Sequence, residues 1–376
     1  MESVGRTLEK TLNSWLNKRK AIVLTGARQV GKTTLLSNLF GKDEKVLFLN
    51  ADENRVRFIF EDLSLPNLKD IIGRNKVLII DEIQRLTNPG LLLKLIFDSF
   101  KDVQLVATGS SALEISDKIF EPLTGRHVLF HLYPFSVSEL YKDKSSFSVE
   151  EELPFHLIFG MYPDICNYRS DAEINLKNLA NQYLYKDVLI WKNIRKPELL
   201  EKLLQLLAYQ IGQEISIHEL AKSLRVKSET VESYIDLLEK SFVIFRLKAY
   251  SSNPRKEISK MSKIYFWDLG IRNAIIDDFD PISLRNDIGQ LWENFIISER
   301  MKKNSNSQAK EKSFFWRNYN QSEVDYLETR KNEIDAFEIK WSKTKNHRVS
   351  TAFTNEYENA NTKVITPSNF MEFLDE

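Results

Sequence analysis

The chain has 376 residues, too many for one ordinary hydrophobic core, so two or three domains are expected. Its composition, 42% hydrophobic, 11% aromatic and 28% charged with only 12 Gly and 10 Pro, excludes a collagenous or largely disordered chain. Lys plus Arg and Asp plus Glu are both 53, so no chain-wide charge draws it to nucleic acid or anionic membrane. The lone Cys166 excludes an internal disulfide, and five scattered His supply no zinc spacing. The opening residues MESVGRTLEKTLNSWLNKRK lack the apolar core of a signal peptide, and no apolar run reaches the length of a membrane span. A soluble cytoplasmic protein without a membrane span is expected.

The first apolar run, AIVLT (21–25), stops at Gly26, and helical spacing begins at Lys32. The turn between them reads Gly26-Ala27-Arg28-Gln29-Val30-Gly31-Lys32-Thr33, which fits G-x-x-x-x-G-K-[ST]. Glycines let such a loop wrap an anion with backbone N–H groups, and the helix behind it turns its positive end to the same oxygens. Lys32 is placed to neutralise β- and γ-phosphates and Thr33 to offer its hydroxyl to Mg²⁺. Gly26, Gln29, Val30, Gly31, Lys32, Thr33 and Thr34 are therefore the candidate residues for binding ATP with Mg²⁺.

The runs VLFLN (46–50), KVLII (76–80), VQLVAT (103–108) and HVLFHL (127–132) predict further strands, with NPGLLLKLIFDSF (88–100) as an intervening helix. Buried runs alternating with helices imply an α/β, mainly parallel sheet. Asp81 stands at the end of its strand to hold Mg²⁺ through water, and Glu82 is the candidate base for the attacking water. Thr108 or Ser110, ending the next strand, is the candidate γ-phosphate sensor, with N-capping of ALEISDKIF by Ser110 or Ser111 as the competing reading. Arg126, after Thr124-Gly125, is the candidate cation for the transferring phosphoryl group, in its own subunit or a neighbour's, or else a surface ion-pair partner.

A boundary is expected near 140, where YPFSVSEL gives way to the polar run YKDKSSFSVEEE (141–152). Residues 198–250 predict three helices with a turn before the third and then an extended run, the layout of a winged helix. Its third helix carries Glu229, Glu232, Asp236 and Glu239 against Lys240, which would repel phosphates, so a lid or bridge is favoured over a reader of bases. Strands are expected in KIYFWD, FFWRN, EVDYLE, IDAFEIKW and KVIT, a helix in LWENFIISERMKK, and a loop in KKNSNSQAKEK (302–312).

The phrases GARQVGKTTLL, LIIDEIQ, ATGSSALEI, LTGR and YPFSVSEL, followed by FGMYPDI, YLYKDVLI, KIYFWDLGIRNAI and GQLWENFIISE, resemble the prokaryotic AAA+-like P-loop ATPases whose C-terminal half is a domain of unknown function. The resemblance covers nearly the whole chain. It implies a P-loop ATPase domain over 1–140, a helical and winged-helix region over 141–262, and a small restriction-endonuclease-like α/β domain over 263–376.

A restriction-endonuclease-like core needs an Asp at a strand end and Glu-x-Lys on the next strand, so that carboxylates hold Mg²⁺ while the Lys steadies water. Asp325 and Glu338-Ile339-Lys340 match that order, and Glu293 falls at the family's further acidic position. Cross-strand ion pairing in a degenerate core is the competing reading. From 293 to 350, 12 Lys and Arg stand against 9 Asp and Glu, a surplus of 3 and a weak phosphate-binding surface. The leading expectation is an Mg²⁺-dependent ATPase acting as switch or motor. The alternatives are a nucleotide-regulated metal-dependent DNA endonuclease and an ATP-gated interaction protein with an inactive nuclease-like domain. A homo-oligomer and a DNA or protein partner are compatible with each.

Overall fold

The computed structural model describes residues 4–16, 18–41, 45–110, 121–142, 144–183, 197–251, 262–331, 333–342 and 347–375. Ser111, the segment ALEISDKIF after it beyond Ser111 itself, and most of YLYKDVLI lie outside the described residues. The chain divides into two compact units, Met1–Tyr133 with Lys240–Phe242, and Pro134–Glu239 with Val243–Glu376.

In the first unit, β1 (Ala21–Thr25), β2 (Val46–Asn50), β3 (Val77–Asp81), β4 (Gln104–Gly109) and β5 (His127–His131) form a wholly parallel sheet in the order β2-β3-β4-β1-β5. All five residues of β1 are buried, as a strand covered on both faces requires. Leu78 and Ile80 of β3 and Leu105 and Ala107 of β4 share a core with Leu92, Leu93 and Ile96 of the helix Pro89–Ser99. The register pairs Thr25 with Gly109 and Ile80 with Ala107, so β1, β4 and β3 deliver Gly26, Gly109 and Asp81 at one edge. In such a sheet ligands bind at the carboxyl ends of the strands.

The second unit holds a seven-stranded sheet, β6 (Glu214–Ile215), β7 (Ile244–Ala249), β8 (Ser262–Phe266), β9 (Lys312–Arg317), β10 (Glu323–Arg330), β11 (Glu333–Ile339) and β12 (Asn361–Ile365), in the order β12-β11-β10-β9-β7-β8-β6. The helices Pro197–Tyr209, Ile217–Leu224 and Ser228–Lys240 precede β7, with β6 between the first two. The expected boundary at 262/263 falls inside β8, because β7 pairs with both β8 and β9 and makes the two halves one sheet. The tail is therefore not a separate unit.

By their packing, residues 134–140 fall in the second compact unit. The N–H of Val137 donates to Glu299 Oε2 at 2.7 Å, and Lys302 Nζ donates to Phe135 O at 3.0 Å and Glu299 Oε1 at 2.7 Å. Glu299 and Lys302 are 2% and 1% exposed, so this segment closes a buried ion pair of the helix Ile288–Asn306. That helix runs into KKNSNSQAKEK, where a loop is expected, because Lys302 is a core residue. The polar run at 141–152 likewise enters the helix Ser146–Phe159, whose first turn is capped by Ser145 accepting from the Ser148 N–H at 3.3 Å. The acidic residues of the helix Ser228–Lys240 are not a bare repulsive face. Arg246 on β7 pairs with Glu232 at 2.5 Å, Glu239 at 2.6 Å and Asp236.

Candidate active site

The loop from Gly26 to Gly31 owes its shape to its two glycines. A Cβ on Gly26 would lie 2.1 Å from the Leu132 carbonyl oxygen, and Gly31 has φ +93° at the helix start, a left-handed conformation that other residues avoid. Gln29, also at positive φ (62°), is exposed, whereas Val30 is fully buried and anchors the loop in the core. Arg6 adds a tie that the motif does not reveal, donating from Nη1 to Val30 O at 3.0 Å. Lys32 is 6% exposed and lies back across the loop, its Nζ donating to Gly26 O and Ala27 O at 2.9 Å each. Thr33 and Thr34, in the first turn of the helix Lys32–Phe40, face solvent.

Asp81 at the end of β3 is gripped by two hydroxyls. Thr33 Oγ1 donates to Oδ2 at 2.7 Å, and Thr108 Oγ1 donates to Oδ1. Thr108, fully buried on the neighbouring strand, also accepts from the Glu82 N–H at 3.2 Å. One hydroxyl thus fixes both Asp81 and the peptide of Glu82. Glu82 itself has φ 52° and ψ 44°, a strained conformation for a residue with a side chain and one that concentrates at functional positions. Gln84 Nε2 donates to Glu82 Oε2 at 2.5 Å and to Ser110 Oγ at 3.2 Å, linking Glu82 to the end of β4. Thr33 and Asp81 form a hard-oxygen donor set of the kind Mg²⁺ takes, and an ion held there would offset charge on the β- and γ-phosphates.

Arg126 does not join this group in its own subunit. β5 is parallel to β1 and pairs His127 with Ala21, and the Ala21 N–H donates to Arg126 O at 2.9 Å. Arg126 therefore sits at the amino edge of the sheet, roughly 13 Å or more along the strands from the phosphate loop at about 3.3 Å per residue. Its Nε pairs with Asp98 Oδ1 at 2.9 Å, the ion-pair role weighed against the catalytic one.

In the second unit the structure gathers Glu293, Asp325, Glu338 and Lys340. Lys340 Nζ lies 3.0 Å from Asp325 Oδ2 and 2.7 Å from Glu338 Oε1, and the Ile339 N–H donates to Asp325 Oδ2 at 2.7 Å. Glu293 Oε1 accepts from Tyr265 Oη at 2.6 Å and from Lys263 Nζ at 3.0 Å. Lys263, Tyr265 and Glu323 escape the motif, since a Lys opening KIYFWD reads as a solvated strand end. Among the described residues Glu338 Oε2 is buried without a hydrogen-bond partner, and burial together with Asp325 raises its carboxyl to about 7. This centre does not fit a divalent ion: Lys263 and Lys340 already pair with one oxygen of each of Glu293, Asp325 and Glu338, and among the described residues no three His, Cys, Asp or Glu are grouped to hold a metal.

Residues 18–141 match the family model described as AAA domain. The first unit carries an AAA-type P-loop ATPase domain. Residues 288–375 match the domain of unknown function DUF4143, and 150–281 match a second, DUF8612. AAA domain and DUF4143 occur in the order that the resemblance implies. An uncharacterized protein of Methanocaldococcus jannaschii is 28% identical over 322 residues, covering 72% of this chain and 67% of its own. One of Mycobacterium tuberculosis is 26% identical over 336 residues, covering 88% and 72%. A Walker-type ATPase of Pyrococcus abyssi shares the fold with a TM-score of 0.52 at 16% identity, covering 73% of this chain and 96% of its own. Among the described residues no helix is long and apolar enough to cross a membrane.

Proposed function

We propose that this chain hydrolyses ATP with Mg²⁺ and uses the cycle as a molecular switch or motor. The observation that carries the reading is the pairing of Thr33 and Thr108 on Asp81 with Glu82 pinned directly behind it. In that arrangement Lys32 leaves the Gly26 and Ala27 carbonyls for the β- and γ-phosphates, the loop N–H groups and helix start bind the same oxygens, and Glu82 takes a proton from the attacking water. Ser110, bridged to Glu82 through Gln84, registers the γ-phosphate in this reading. Arg126 is left a role only toward a neighbouring subunit's phosphate site, which requires a homo-oligomer. Phosphate release from Mg²⁺-ATP, followed with and without DNA together with DNA integrity, tests this reading. No release in any condition would refute it.

The grouping of Asp325, Glu338 and Lys340 supports a second reading, a nucleotide-regulated DNA endonuclease with a winged-helix region. Cleavage there requires a divalent ion, which the ammonium groups of Lys263 and Lys340 on these carboxylates disfavour, so this reading ranks second.

A further inference from the structure

Lys263 on β8 is 2% exposed, and a bare ammonium so buried would be very costly. Its Nζ lies 3.0 Å from Glu293 Oε1 and also on Glu323 Oε1. Burial opposes its charge, yet Glu293, Glu323 and Asp325 together raise its pKa above the ordinary lysine value. Tyr265, two residues along the same strand, donates to the oxygen of Glu293 that Lys263 holds. Arg317, on β9, adds a more distant cation, 3.7 Å from Glu323 Oε2 and 3.4 Å from Glu214 Oε2.

A hard divalent ion takes about six oxygens at roughly 2.0–2.6 Å. The cluster keeps one buried carboxylate oxygen without a hydrogen-bond partner among the described residues, Glu338 Oε2. Lys263 holds one oxygen each of Glu293 and Glu323, and Lys340 one oxygen each of Asp325 and Glu338, so two ammonium charges already stand where a divalent ion would offset the carboxylates. Lys263 also joins elements distant in sequence: its own β8, the helix Ile288–Asn306 through Glu293, and β10 through Glu323.

We propose that Lys263 is the resident cation of this centre: it holds Glu293 and Glu323 beside Asp325 in the place of a divalent metal, and it makes the cluster a metal-free clamp fastening β8 to the helix Ile288–Asn306 and β10. The proposal does not depend on the ATPase reading and disfavours the endonuclease one.

The test is Mn²⁺ binding, read by electron paramagnetic resonance without nucleotide, in full-length Thr33→Ala/Asp81→Asn protein, which lacks the nucleotide-site metal ligands. With Lys263 present, no stoichiometric Mn²⁺ is expected at millimolar concentration, and no Mn²⁺-dependent rise in Tm. Adding Lys263→Met should create one Mn²⁺ site per chain, lost again on Asp325→Asn. Uptake of one ion by the chain that retains Lys263, abolished by Asp325→Asn, would overturn the proposal, as would a folded Lys263→Met chain that gains no site. If Lys263→Met does not fold, the chain that retains Lys263 decides the matter through the same two readouts.

Discussion

Thr108→Val replaces one buried hydroxyl with a methyl of nearly the same volume and leaves the β-branched shape of β4 intact. The hydroxyl makes two bonds, donating to the Asp81 carboxylate and accepting from the Glu82 N–H at 3.2 Å. A hydrogen bond to a charged acceptor is worth about 1.5–3 kcal/mol, and a buried N–H left unsatisfied costs about 1–3 kcal/mol. Thr33 still holds the other oxygen of Asp81 at 2.7 Å, and the Glu82 peptide is only part-buried, so a combined loss of about 2–4 kcal/mol is expected. Unfolding of the ATPase unit by calorimetry should show that loss, and Thr108→Ser should recover most of it. Because the same hydroxyl pins the strained backbone of Glu82, kcat should fall about 10–100-fold while the Kd for ATP stays within about threefold. A Thr108→Val protein with wild-type kcat and stability within about 0.5 kcal/mol would refute the role of this hydroxyl.

Arg126→Ala should leave single-subunit hydrolysis unchanged at concentrations too low for assembly, since its guanidinium lies at the opposite edge of the sheet. If it serves a neighbour, mixing Arg126→Ala with Lys32→Ala protein should restore phosphate release, and activity per subunit should rise with concentration. His156, buried with Tyr141 on Nε2, has its pKa lowered to about 4 by burial. The folded chain therefore favours the neutral ring, and its contribution, complete above the unfolded value near 6.5, is lost as pH falls toward 4 at up to about 1.4 kcal/mol per unit. Urea midpoints at pH 7 and pH 5 should fall further for wild type than for His156→Gln; parallel declines would contradict this.

The candidate nucleotide site is legible in the sequence because its parts are local. Gly26 to Thr33 form one turn, and Asp81 and Thr108 each end an apolar run, so only the adjacency of β1, β4 and β3 is left to the fold. Arg126 misses the phosphate site of its own subunit for a topological reason. Its loop is near the right strand, but parallel pairing decides which edge a strand begins on, and β5 begins on the far one. The boundary at 262/263 fails because sheet pairing is not sequential: β7 joins β9 across more than sixty residues, and nothing local in KIYFWD signals it. Lys263 and Arg246 are invisible for a related reason. A cation in a strand pattern reads as solvated until carboxylates from other elements are seen around it, as Glu293 and Glu323 are around one and Glu232, Asp236 and Glu239 around the other. The helix Ser146–Phe159 escapes because a run of Ser, Lys and Glu looks like a linker, although Ser145 is a cap.

The central claim, that Glu82 acts on water attacking ATP held by the Lys32 loop, is tested most directly by one paired measurement on Glu82→Gln: ATP binding at equilibrium and phosphate release in the same Mg²⁺ buffer. Retained binding with phosphate release reduced at least about 10²-fold is expected, since removal of a general base costs about that much. Equal turnover by wild type and Glu82→Gln would contradict the claim.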